Sequence, residues 1–152
     1  MNMRTFNRYL SMFPLCIGLL LSACTSSNKS GEEDKSKLPD NRVEVIYFYG
    51  NMRCLTCKAI EKFAKETVDS IFTEESRNGK VRFRVVSIPD NEKMAYEYQT
   101  TGSSLFVTTY INGVEKRTDM TEFGFKTARK RHEYFQDSLS KVIRQSLYDM
   151  NP

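Results

Sequence analysis

Histidine and cysteine, the residues that most often carry metal and acid–base chemistry, are scarce in this sequence. Its 152 residues hold one histidine, His132, and four cysteines, Cys16, Cys24, Cys54 and Cys57. Structural zinc takes four ligands, and only His132 could join the thiols, so the sequence argues against such a site. His132 lies on the apolar stripe of the last helical segment, far along the chain from Cys54 and Cys57. That placement suits a partly buried, satisfied histidine better than an acid–base catalyst. Charge of one sign is also lacking, since 23 basic residues face 19 acidic ones. Arg4 and Arg8 sit in a segment expected to be removed, which leaves 21 against 19, or +2. So small an excess, with no basic stripe interleaved by aromatics, excludes nucleic acid as the expected partner. No flavin- or nicotinamide-binding pattern is found either.

Long apolar runs are missing too. Leu10 to Leu21 is apolar but short of the roughly 20 residues that a spanning helix needs. With Arg4 and Arg8 before it, this stretch has the parts of an export signal over residues 1–23. It ends in Leu21-Ser22-Ala23-Cys24, which resembles the bacterial lipobox. The resemblance implies cleavage before Cys24 and lipidation of that residue, hence a membrane anchor made of several acyl chains. The expected location is the bacterial cell envelope, lipid-anchored to a membrane, with the domain facing the periplasm. Residues 24–41 are then the lipidated cysteine and a polar tether without hydrophobic periodicity. Such a coil spans about 20–25 Å on average. The acidic trio Glu32-Glu33-Asp34 within it reads as solvation.

Once Cys16 has left with the signal and Cys24 has been lipidated, Cys54 and Cys57 are the remaining thiols. An exported chain with one close pair is poised for redox chemistry and has no disulfide framework to staple it. Val43 to Tyr49 reads as a strand, and Gly50-Asn51 as a turn. From Cys54 onward, Ile60, Phe63, Ala64, Val68, Ile71 and Phe72 recur at helical spacing. The pair therefore opens a helix, where unsatisfied N–H groups and the macrodipole favour thiolate over thiol. Tyr47 reads as strand packing.

Residues 42–150 carry the remaining pattern, enough for one domain. The first helix should end near Arg77-Asn78-Gly79, followed by a strand over Val81–Ile88 and a turn at Pro89-Asp90-Asn91. A short helix over Glu92–Gln99 and a loop over Thr100–Ser104 precede a strand from Leu105 to Ile111. Asn112-Gly113 is a hairpin signal, and Val114–Arg117 returns. Thr121 should begin one long C-terminal helix whose core stripe is Phe125, Ala128, His132, Phe135, Leu139, Val142 and Ile143. The order is β-α-β-α-β-β-α, an α/β class with a mixed sheet flanked by helices.

With a Cys pair at the start of its first core helix, this order resembles the thioredoxin fold, over about residues 43–148. More narrowly, Val43 through Cys57-Lys58-Ala59-Ile60-Glu61-Lys62, with Thr121-Glu122-Phe123-Gly124-Phe125, resembles a group of thioredoxin-like bacterial lipoproteins. They are labelled as a nitrophenyl-compound nitroreductase subunit, the ArsF family. Without a flavin or nicotinamide pattern, the reductase role this implies is electron relay.

The resemblance makes Cys54 the attacking thiol and Cys57 the resolving one, in a thiol–disulfide oxidoreductase that needs no cofactor beyond its Cys54–Cys57 disulfide. The partner it implies is a protein thiol or disulfide, with a membrane electron donor or reductase as a candidate. Arg53 and Lys58 flank the pair, and their charge would lower the Cys54 pKa. Two features of the thioredoxin pattern are absent. Its buried acid, six residues before the first cysteine, is replaced by Phe48, leaving water or Glu61 to take the Cys57 proton. Its cis-proline loop corresponds to Gly102-Ser103-Ser104-Leu105, where a trans bond is expected because non-proline cis bonds cost about 2.5–4 kcal/mol.

Two alternatives follow. Met52-Arg53-Cys54-Leu55-Thr56-Cys57 also matches the MxCxxC loop of small copper-carrying domains, and paired thiolates suit Cu(I). The order of elements disfavours it, because those domains follow their first helix with a hairpin. The other alternative is a non-catalytic thioredoxin-like binding module whose Cys pair is vestigial.

Overall fold

The computed structural model describes residues 38–150. The signal segment 1–23, Cys24 and the tether up to Lys37 lie outside the described residues. The central strand β1, Arg42–Tyr49, is buried at six successive positions from Val43 to Phe48, as befits a strand covered on both faces. It pairs in parallel with β2, Val81–Ser87, from Val43 against Val81 to Tyr49 against Ser87. On its other edge runs β3, Ser104–Ile111, antiparallel, with Phe48 opposite Ser104 and Tyr47 opposite Leu105. The outer strand β4, Val114–Asp119, returns from β3 through Asn112 and Gly113, both at positive φ. That is the two-residue turn the Asn-Gly pair predicts. The sheet order is β2-β1-β3-β4. With helices on both faces, this is the mixed α/β sheet of the thioredoxin fold.

Alternation along β1 sorts the side chains into two layers. Val43, Val45 and Tyr47 join Leu105 and Val107 in the main core. Over them pack α1 (Leu55–Ile71), α4 (Thr121–Thr127) and α5 (His132–Asp149), through residues such as Ile60, Ala64, Val68, Ala128, Phe135, Leu139 and Ile143. On the opposite face Ile46, Phe48, Val86 and Phe106 meet Tyr98, at the end of the short helix α3, Glu92–Glu97. Glu44 shares that face, only 1% exposed, and accepts from Arg42 Nε at 2.8 Å and Arg84 Nη1 at 3.0 Å. Burial alone would push its carboxyl up; the two guanidinium groups outweigh it and hold the pKa below its ordinary value.

Two helices end earlier than their sequence periodicity predicts. The first stops at Ile71, capped by Phe72, and a separate turn, α2 (Thr73–Arg77), follows with no buried residue. The expected single C-terminal helix is broken, because residues 128–131 separate α4 from α5. Packing supplies the reason. A Cβ on Gly124 would lie 3.3 Å from Ile60 Cδ1 and 3.5 Å from the Phe135 ring. In one straight helix, residues 124 and 135 would stand about 16 Å apart. The chain must fold back to bring Phe135 against Gly124, and Arg131, outside helical geometry, makes the corner. The stripe shifts accordingly: α4 buries Gly124 and Thr127, while Phe125 is exposed.

Residues 39–41, grouped by composition with the tether, touch the domain. Asn41 Oδ1 accepts from the Asn112 N–H at 2.8 Å, and the Pro39 carbonyl accepts from Arg42 at 3.3 Å. Among the described residues, no helix is long and apolar enough to cross a membrane.

Candidate active site

Cys54 is the N-cap of α1, in extended conformation, and its sulfur accepts from the Cys57 N–H at 3.0 Å. One of the orphan donors of the helix start is thus aimed at sulfur, as the sequence position requires. Cys54 and Cys57 are joined in a disulfide with their Cα atoms 4.9 Å apart. The two residues differ sharply in access: Cys54 is exposed, whereas Cys57 keeps 5% of its surface. An entering nucleophile or electrophile therefore meets Cys54. Met52 and Leu55 beside it are 89% and 66% exposed, so the approach is apolar and open.

The first turn of α1 is tied from below. The Lys58 N–H donates to the Cys54 carbonyl at 3.0 Å, and the buried Tyr47 hydroxyl donates to the Cys57 carbonyl at 3.0 Å. Tyr47 therefore does more than the strand packing its sequence position predicts. Its signal was available, for it shares the phase of Val43 and Val45, and a buried tyrosine hydroxyl requires a partner. Phe48, which occupies the position of the missing acid, points to the opposite face among Ile46, Tyr98 and Phe106.

Arg53 and Lys58, the two candidate tuning residues, are placed differently. Arg53 pairs with Glu61 and lies 4.7 Å over the Tyr49 ring. Lys58 is exposed and borders a shallow groove with Arg53, Glu61, Lys62 and Lys65. Lys62 is held by Glu66 at 3.7 Å and Lys65 by Asp69. Glu61, considered for the Cys57 proton, is committed to Arg53.

The loop Gly102-Ser103-Ser104-Leu105 reaches the same end of the sheet, since Leu105 sits opposite Tyr47. No cis peptide bond occurs among the described residues, so the expected trans bond is present. The Leu105 N–H, a donor that proline would lack, is taken by Thr121 Oγ1 at 3.0 Å, and the Leu105 carbonyl accepts from Met120 N–H at 2.8 Å. Thr100 and Ser104 hydroxyls both donate to the Gly102 carbonyl at 3.0 Å. The loop is therefore closed largely upon itself and upon α4.

His132 is a correction. It is exposed, where the sequence predicts partial burial, and stacks on Phe63 of α1 with ring centroids 4.8 Å apart. Opening α5 at the corner lifts it off the core stripe. Phe63 stands about 13 Å along the helix from Cys54, so this stack keeps His132 away from the pair. Among the described residues, no three or more His, Cys, Asp or Glu side chains gather as a metal site.

No protein-family model and no curated protein matches the chain. Among solved structures it is similar to the solution structure of a thioredoxin from Thermus thermophilus, at 18% identity and a TM-score of 0.45. That match covers 72% of this chain and 77% of the other. A structure described as that of a malarial protein is similar at 15% identity and a TM-score of 0.41, covering 68% of this chain and 98% of that one. Neither likeness bears on activity; the fold stands on the strand order and register given above.

Proposed function

We propose that the chain is a thiol–disulfide oxidoreductase or electron relay, tethered to a membrane of the bacterial envelope through Cys24 and facing the periplasm. The observation that carries the redox reading is the Cys54–Cys57 disulfide itself, opened to solvent at Cys54 and shielded at Cys57, on the N-terminus of α1. In the dithiol form, the Cys54 thiolate attacks one sulfur of a partner disulfide, and the partner's other sulfur leaves as thiolate. Cys57 then attacks the Cys54 sulfur, which releases the partner's second thiolate and re-forms the Cys54–Cys57 bond. Two electrons pass to the partner, and two protons follow. Run in reverse, the same steps oxidise a partner dithiol. The resemblance of Val43–Lys62 and Thr121–Phe125 to a nitroreductase subunit fits this relay role, with electrons handed onward through the thiol pair.

Turnover tests the reading. The chain should accelerate reduction of a protein disulfide by dithiothreitol, and Cys54→Ser should remove the acceleration. Equal rates with and without the wild-type chain would end it. The anchor is tested separately: Cys24→Ser should move the exported chain from the membrane fraction to the soluble one, and an unchanged distribution would refute lipidation there.

A further inference from the structure

The exchange steps make no use of the buried hydroxyl that reaches the Cys pair. Tyr47 has no exposed surface, and its hydroxyl donates to the Cys57 carbonyl at 3.0 Å. The same peptide unit carries the Lys58 N–H, which donates to the Cys54 carbonyl at 3.0 Å. Hydrogen bonds in such a chain polarise and strengthen one another. A continuous path thus runs from Tyr47 through the Cys57–Lys58 peptide to Cys54, holding both thiol residues without using either sulfur. We propose that Tyr47 is a positioning residue for the dithiol–disulfide couple, keeping the Cys54–Cys57 turn in disulfide-forming geometry after the S–S bond opens. This rests on the redox reading above.

The direction of the effect follows from what restrains each state. In the disulfide form the S–S bond fixes the turn. In the dithiol form that restraint is gone, and the bonds from Tyr47 and Lys58 hold the thiols together. Removing the hydroxyl therefore frees the dithiol turn more than the disulfide turn, and the dithiol gains. Against glutathione, one protein disulfide and two glutathione thiols give two protein thiols and one glutathione disulfide, with two electrons and two protons transferred. Tyr47→Phe should shift this equilibrium toward the protein dithiol by about two- to tenfold, the span expected for one hydrogen bond.

The matched control is Tyr98→Phe. Its hydroxyl is hydrogen-bonded to Thr108 Oγ1 at 2.9 Å, also buried but on the opposite face of the sheet. The purified full-length chain and both variants are equilibrated in graded glutathione buffers, alkylated, and their free thiols counted by mass spectrometry. A shift in Tyr47→Phe with Tyr98→Phe unmoved supports the assignment. Coincident curves for Tyr47→Phe and wild type, or equal shifts in both variants, overturn it while the redox reading stands. A wild-type pair that never changes state across the series removes the redox reading, and the role of Tyr47 with it.

Discussion

At the scale of the residue, the chemistry of the pair is set by a few neighbours whose roles diverge once they are placed. Arg53 and Lys58 look equivalent in the sequence, one on each side of the thiols. In the fold, Arg53 is shared with Glu61 and the Tyr49 ring, while Lys58 is exposed beside Cys54. Lys58→Ala should therefore move the pH profile of Cys54 alkylation upward more than Arg53→Ala does, both modestly because exposed charges are screened. A larger shift in Arg53→Ala would reverse that ranking. Glu44 gives a pH prediction. Its carboxyl is depressed below its ordinary value of 4.5 because Arg42 and Arg84 outweigh the effect of burial. A depressed acid stabilises the fold fully above its unfolded pKa, and that contribution is lost as pH falls through the lower folded value. Glu44→Gln should thus cost about 1–3 kcal/mol at pH 7 in chemical denaturation, with the gap to wild type narrowing below pH 4.5. A gap independent of pH would contradict the ion-pair account. Cysteine spacing made the thiols legible, and the phase of Tyr47 its burial; which groups Tyr47 and Thr121 bond was not legible, because those partners are backbone groups distant in sequence.

At the scale of the element, periodicity located nearly every strand and helix but not the corner between α4 and α5. The positions Phe125, Ala128, His132 and Phe135 fit one continuous helical stripe, so nothing local announces a break. The cause is tertiary: Gly124 must pack against both Ile60 of α1 and Phe135 of α5. A side chain at Gly124 should therefore be felt. Gly124→Val overfills the space between α4 and α1 and should destabilise the domain by about 1–3 kcal/mol, measured as a lowered midpoint in urea. An unchanged midpoint would mean that Ile60 and Phe135 do not confine this position. The hairpin, in contrast, was fully readable, because Asn112 and Gly113 alone supply the positive φ values that the turn needs.

At the scale of the whole molecule, the Cys54–Cys57 bond lies at the edge of a core that does not depend on it. The main core is built from β1, β3 and three helices, with Val45, Ile60, Phe135 and Leu139 fully enclosed. A disulfide closing so small a loop constrains the unfolded chain by about 2 kcal/mol. Reduction should leave a folded protein whose unfolding free energy, from urea titration, falls by only that amount; unfolding on reduction would make the disulfide structural. The order of the four strands and their turns was legible because each carries its own local signal, whereas α2 and the division of the last helix into α4 and α5 were not.

The central claim is that Cys54 is the entry thiol and Cys57 the shielded one that resolves. It is tested most directly by mixing Cys57→Ala and Cys54→Ala with glutathione disulfide and following adducts by mass spectrometry. The account predicts one glutathione on Cys54 in Cys57→Ala, persisting because nothing resolves it, and far slower labelling of Cys57 in Cys54→Ala. Equal labelling of the two variants, or none in either, would contradict it.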